Sequence, residues 1–311
     1  MTSCFHTLAM SLRALCFLTV FTPILVVSFA GAQNTDITEE LISRMEQTRA
    51  VNLDEVVAAL ELERSPQSSP DNFAVPNPYQ PHYMAIEDDP MQITLPGLAP
   101  AIHHQQSIYE WTRRINAGDA NSKVCALRFT SERQQEYKLK TFNSSAEARE
   151  SGYLVTHASH CGACSSLADL AAFLRVRDMT TPSRKCTRES EVEDMARCSE
   201  ALGLSRPCAE VWAYNAEHTR TECRGICLSD YGFFRLLFGI EDKRTVDADG
   251  RLRPCIACDE AISGPAYKYA AGRTRRTSGV ESAIPRSSEE LYEVDFREYY
   301  QLFGLQAPEV K

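Results

Sequence analysis

Ten cysteines lie between Cys125 and Cys258, and none lies between Gln33 and Val124. An even set confined to one stretch is a disulfide framework in a chain that matures in an oxidising compartment, and it restricts the fold to elements that can be cross-linked within one domain. The other two of the 12 cysteines, Cys4 and Cys16, lie in a segment with the three parts of a signal peptide. Arg13 is the positive flank, Ala14 to Ala30 the apolar stretch, and Ala30-Gly31-Ala32 the small-residue exit. Cleavage before Gln33 removes both cysteines and leaves the even set. An uncleaved anchor is the alternative, because the apolar run is near the lower limit for a membrane span. After cleavage no stable membrane span is expected, and the protein is expected to be secreted or to reside in the lumen of the secretory pathway. The sequon Asn143-Ser144-Ser145 fits a glycosylated surface loop.

Charge divides the mature chain more sharply than hydropathy does. Residues 33–100 carry 12 acidic and 3 basic side chains, whereas 101–311 carry 30 and 29. The acidity therefore belongs to an N-terminal arm, and a net charge of −9 makes nucleic acid an unexpected partner. The arm opens with helical spacing at Ile37, Leu41, Ile42 and Met45, then Val51, Leu53, Val56, Val57 and Leu60. Eight of the 15 prolines follow between Pro66 and Pro100, too many for a helix interior or a central strand, so an extended linker is expected there. The chain thus divides into a signal peptide over 1–32, an acidic helical and Pro-rich arm over 33–100, and a disulfide-rich globular domain over 101–311. The arm is expected to pack poorly on the domain, or else to dock on its basic patch.

Within the domain, Lys123 to Thr130, Glu136 to Phe142 and Gly152 to His157 read as three strands, the third after a Ser-rich loop. Beyond His157 the pattern turns mostly helical. Leu167, Leu170, Ala171 and Leu174 keep the spacing of a buried helix face, as do Val192, Met195, Ala196 and Leu202 before Gly203. Ser205 with Pro207 opens a helix towards Cys223. Ser287 and Glu290 form a capping pattern before Tyr292, Phe296, Tyr299 and Phe303. The expected fold is α+β: a small antiparallel sheet followed by packed helices, stapled by disulfides.

Chemistry concentrates first at the sheet-to-helix junction, His157-Ala158-Ser159-His160-Cys161-Gly162-Ala163-Cys164-Ser165-Ser166. A Cys-x-x-Cys at a helix start sets thiols beside the positive end of the helix dipole, which favours thiolate. With His157 and His160 close by, Cys161 and Cys164 are candidates for dithiol exchange, for a nucleophile, or for a zinc or copper site. The alternative is that each cysteine staples the turn to another element. Asp169 fits a cap on Ser166 better than a catalytic role. The Cys-Gly-Ala-Cys run resembles the stretch around the nucleophile of papain-like proteases, in which Cys164 would be the attacking thiol. Ser165 stands where that family has an aromatic, and His218 is the only histidine beyond the motif, so that reading is set aside.

A second cluster runs from Cys255 to Gly279. It holds Asp259 and Glu260, then Ser263-Gly264-Pro265, Lys268, and Arg273, Arg275 and Arg276 between Gly272 and Gly279. Arginine forks grip carboxylate or phosphate at two points, and flanking glycines allow close backbone approach. A solvated turn with ordinary ion pairs is the competing reading. Cys161, Cys164, Cys255 and Cys258 have the spacing of a four-thiolate zinc site, but the secretory route favours staples. Nothing selects a metal, and no cofactor is assigned. Together these segments, from about Lys123 to Arg286, resemble uncharacterised secreted cysteine-rich proteins of unicellular eukaryotes, a resemblance that implies no activity.

The combined expectation is a secreted, disulfide-stabilised enzyme of unassigned reaction acting on a small anionic substrate. Catalysis would fall to His157, His160, Cys161, Cys164, Asp259 and Glu260, and substrate binding to Ser263, Lys268, Arg273, Arg275 and Arg276. The alternatives are a non-catalytic binding or structural module, and a thiol-disulfide or metal-dependent site at Cys161 and Cys164.

Overall fold

The computed structural model describes residues 37–60, 62, 69–79, 123–232, 235, 244–285 and 291–308. The stretch expected to be a signal peptide, most of the Pro-rich stretch and the Ser287/Glu290 capping pattern lie outside them. Ala32–Lys311 form one compact unit, an α+β fold in which helices pack on a four-stranded sheet.

The strands fall where hydropathy alternates. β2 (Val124–Phe129) and β3 (Glu136–Phe142) pair antiparallel from Val124 opposite Phe142 to Phe129 opposite Tyr137. In β3, Tyr137 and Leu139 are buried and Lys138 and Lys140 exposed, the period of two that a half-buried strand requires; Phe142, one step out of that period, is buried in a separate cluster. β4 (Leu154–Ala158) pairs antiparallel with the other edge of β2. β1 (Arg49–Ala50) adds to β3 in parallel, giving the order β1-β3-β2-β4. The sheet is therefore mixed, because the arm supplies its edge strand.

That edge is the first correction to the expected organisation: the described part of the arm is built into the domain. α1 (Glu39–Glu46) buries Leu41, Ile42 and Met45 in the main core. Beyond β1, Asn52 extends the sheet with its side chain, donating to the Leu139 carbonyl and accepting from the Leu139 N–H, each at 2.9 Å. α2 (Leu53–Ala58) comes next. Farther on, Phe73 and Val75 are buried, and the Val75 N–H donates to the buried Glu210 carboxylate at 2.8 Å. Two acids in the described part of the arm meet Arg175: Glu46 at 2.5 Å, with Glu39 on the same guanidinium. Long-range pairing of this kind leaves no trace in local composition.

α3 (Ser145–Glu150) occupies the stretch expected as loop; the Ser144 hydroxyl accepts the Glu147 N–H, and the Glu147 carboxylate accepts from Asn143. α4 (Leu167–Arg175) starts at Ser166, whose hydroxyl accepts the Asp169 N–H at 3.1 Å and donates to the Asp169 carboxylate at 2.5 Å. Asp169 is thus the cap partner. It also accepts the Ser205 N–H and hydroxyl, tying α4 to the start of α7. The helical part continues through α5 (Thr180–Cys186), α6 (Val192–Glu200), α7 (Arg206–Glu222) and α8 (Arg224–Tyr231). α9 (Pro254–Cys258) runs through a π-helical segment, Asp259–Ser263, into α10 (Gly264–Ala271). α11 (Arg297–Leu302) is shorter than the apolar spacing from Tyr292 implies, because Tyr292 leaves the helix to donate to the Arg276 carbonyl. Among the described residues no helix is long and apolar enough to cross a membrane.

Five disulfides join these elements: Cys125–Cys161, Cys164–Cys208, Cys186–Cys198, Cys223–Cys258 and Cys227–Cys255. The last two form a double staple. Cys223 and Cys227 stand one turn apart, as do Cys255 and Cys258, so α9 is clamped to the α7–α8 corner at both of its ends.

Candidate functional site

The junction after β4 is a joint, not a cleft. Cys161 bonds to Cys125 on β2, and Cys164 to Cys208 on α7. This corrects the thiol expectations: with both sulfurs in disulfides there is no thiolate for attack, for dithiol exchange or for metal. Among the described residues no group of three or more His, Cys, Asp or Glu could hold a metal ion.

His157 is fully buried. Its Nδ1 lies 2.7 Å from the Ala158 carbonyl, which can only accept, so Nδ1 carries the proton and Nε2 accepts the Ser165 hydroxyl at 2.8 Å. Ser165 Oγ in turn accepts the Gly162 N–H at 2.8 Å. Burial foremost, then the charge of Arg273, holds the His157 imidazole well below its ordinary pKa, so the ring is neutral. A serine hydroxyl donating to a neutral histidine has the form of a nucleophile and its base. Both are sealed from solvent, which makes the pair a structural lock. His160 donates from Nε2 to the Tyr269 carbonyl at 2.8 Å and belongs to the same joint.

The 270–279 segment does come to this junction, as the two motifs taken together implied, but backbone meets backbone. The Ala163 and Cys164 N–H groups donate to the Ala270 and Ala271 carbonyls, each at 2.9 Å. The glycines make the crossing possible: a Cβ on Gly272 would stand 2.5 Å from the Gly162 nitrogen and 2.7 Å from the His160 carbonyl. Arg273 is completely buried and donates to the carbonyls of Cys164 (3.1 Å), Ser165 (3.2 Å) and Thr156 (3.4 Å) and to the Ser278 hydroxyl (3.0 Å). Arg275 reaches the last carbonyls of α4, Phe173 at 2.6 Å and Val176 at 2.7 Å, and also binds the Glu281 carbonyl. It caps the negative end of that helix dipole. Burial pulls its pKa down to about 10. Two of the three arginines expected to hold a substrate therefore hold the fold. Ser263 is buried against His218 Nδ1 at 3.0 Å, and its carbonyl accepts the Tyr79 hydroxyl at 2.7 Å.

The remaining expected residues share a different place. A cavity of about 260 Å³ opens between α5, α7, the α9–α10 rod and the 274–284 segment, with Asp259, Glu260, Lys268 and Arg276 in its walls. Glu260, Gly264 and Lys268 form one row along the rod, and Lys268 Nζ lies 3.1 Å from Glu260 Oε2. A Cβ on Gly264 would stand only 3.2 Å from that ammonium, so the missing side chain lets the lysine fold back across the helix. Arg276 approaches the same carboxylate at 4.0 Å. Asp259 is turned into the protein, where it accepts from the side chains of Asn215 and Thr219. Burial, then the neighbouring Glu260, pushes its carboxyl above the usual Asp range, against the pull of those hydrogen bonds. These two acids occupy the π-helical segment, a distortion frequent at functional sites.

The rest of the wall is mostly apolar: Phe173, Met179, Trp212, Tyr231, Ile256 and Tyr267. Trp212 and Tyr267 meet edge to face with ring centroids 5.6 Å apart. The Arg184 guanidinium lies over the Tyr231 ring at 4.9 Å. One buried donor on this wall, Arg184 Nε, has no acceptor among the described residues, whereas the Trp212 indole N–H is turned to the Tyr267 hydroxyl. Neither residue stood out in the sequence. The available signal was on α7, where Trp212, Asn215, Ala216 and Thr219 take the i, i+3, i+4, i+7 positions and so put polar groups on an inward stripe.

Residues 192–294 match a family of unknown function (DUF8771). That stretch contains α6 to α10 and the 273–279 turn. It thus includes Trp212, Asp259, Glu260, Lys268 and Arg276 but not the His157–Ser166 joint. No curated protein and no solved structure matches the chain.

Proposed function

We propose that the mature chain is a secreted, disulfide-stapled protein that binds a small anionic molecule in the cavity between α7 and the α9–α10 rod. Five disulfides fit an extracellular or secretory protein, and Asn143, exposed at the turn before α3, is the glycan acceptor in this reading. One observation carries the anion: Arg184 Nε is a buried donor without an acceptor among the described residues, in a wall that also holds Lys268 and Arg276. A buried donor left unmatched costs about 1–3 kcal/mol, which an acceptor on a ligand recovers. Phosphate, sulfate or a small carboxylate should therefore raise the melting temperature of the wild type, since a ligand that binds only the folded state stabilises it. Arg184→Gln should lose that rise. Equal shifts in both proteins would place the anion elsewhere. Arg275→Ala is the wrong probe, because its guanidinium closes α4.

Catalysis is the second reading, and the Asp259/Glu260 pair favours it. Two adjacent carboxyl groups in unlike surroundings, one buried on Asn215 and Thr219 and one against Lys268 and Arg276, are an arrangement from which acid–base chemistry can be built. The sign of the Asp259 shift gives a check independent of any substrate. A carboxyl whose pKa is raised in the folded state contributes stability that is full below its unfolded value and is lost as pH rises through the folded value. Asp259→Asn should therefore lose less stability than the wild type as pH rises above about 4, the ordinary Asp value. An unchanged pH slope would show that Asp259 ionises normally and would remove it as a proton donor. Asn at this position retains an oxygen for the Asn215 and Thr219 donors.

A further inference from the structure

We infer that the cavity ligand is a flat aromatic monoanion, one or two rings carrying a single carboxylate or equivalent group; this rests on the anion-binding reading above and narrows it. The first argument is charge. Arg275 is committed to backbone carbonyls, and Lys268 and Arg276 both approach Glu260, so the positive excess facing a ligand is small. A compact dianion needs several convergent charges to replace its hydration in a mainly apolar enclosure. A monoanion needs one fork, and Arg184 supplies it.

The second argument is the shape and chemistry of the remaining wall. Phe173, Trp212, Tyr231 and Tyr267 bring four aromatic rings to one enclosure, and rings are matched best by another ring, edge to face or offset. At about 260 Å³ the space falls below the roughly 300–1,000 Å³ of drug-sized sites, which limits the ligand to one or two rings.

The test uses the mature full-length protein with Trp111→Phe, so that Trp212 is the sole tryptophan, and follows its fluorescence together with the melting temperature. The probes are benzoate, indole-3-acetate, benzamide, cyclohexanecarboxylate and inorganic phosphate. Benzoate and indole-3-acetate should quench or shift Trp212 and bind at least tenfold tighter than each of the other three. Arg184→Gln should weaken benzoate about tenfold and leave benzamide unchanged, and Trp212→Phe, read by melting temperature, should weaken indole-3-acetate. Phosphate binding as tightly as benzoate would overturn the aromatic inference while sparing the anion site, as would cyclohexanecarboxylate equal to benzoate. Benzamide equal to benzoate would overturn the anion reading itself. No shift with any probe, in a protein with five intact disulfides and cooperative melting, would overturn both.

Discussion

Arg273→Met is expected to lose about 3–5 kcal/mol of stability, and Arg273→Ala more, against a total of about 5–15 kcal/mol for a typical domain. Among the described residues the guanidinium is the only side-chain group that donates to the inward carbonyls of Thr156, Cys164 and Ser165 together, at a point where β4, the junction and the 273–278 turn meet. Methionine keeps the stem volume but leaves three buried acceptors undonated, each costing about 1–3 kcal/mol. Alanine adds a cavity, for a further loss of a few kcal/mol. The opposing term is the desolvation of the arginine itself, which the mutation refunds. It is substantial: burial lowers the Arg273 pKa, and Asp169, Tyr137 and Tyr299 offset that only through space. The carbonyl count decides the sign, because carbonyls fixed by the fold cannot turn to water. Denaturant unfolding without reductant measures the loss, and a Met variant within 1 kcal/mol of wild type would show that the charge was a net burden.

Arg273 also shows where sequence reading ends. Gly272-Arg273 near a Cys-Gly-Ala-Cys run has the composition of a backbone-lined anion site, and it has equally the composition of two chains crossing at van der Waals distance. Both require a missing Cβ and both use a fork of N–H donors; only the partner differs, a ligand oxygen or the chain's own carbonyl. β2, β3, β4, α4, α6 and α7 were legible because their signals are local: alternation in Glu136–Leu139, the Ser166–Asp169 cap, Pro207 after Ser205. The cysteine partners were not, since spacing cannot tell Cys161 bonded to Cys125 from Cys161 facing a free Cys164. The cavity was half legible. Asp259, Glu260, Lys268 and Arg276 announce themselves by charge, whereas Arg184 and Trp212 join them only through the packing of α5 and α7 on the α9–α10 rod.

Removing the arm is expected to abolish folding of the rest. A chain starting at Lys123 loses Leu41, Met45, Val57, Leu60, Phe73 and Val75, each of them 6% exposed or less. At about 1.5–3 kcal/mol for each fully buried side chain, their burial alone rivals the whole stability of a domain. Polar partners are lost with them. Glu210 would keep Arg206 but lose the Val75 N–H, and the Tyr214 hydroxyl would lose the Val75 carbonyl. β3 would become an open edge, with the Leu139 N–H and carbonyl deprived of Asn52. A milder variant grades the effect: Leu41→Ala, at a fully buried position on α1, should cost about 2–5 kcal/mol. A fragment from Lys123 that recovers five native disulfides, unfolds cooperatively and keeps the near-ultraviolet circular dichroism of the full chain would return the arm to the status of a detachable appendage. The opposite result makes the acidic N-terminal segment a part of the domain that the cysteines define, although it contains none of them.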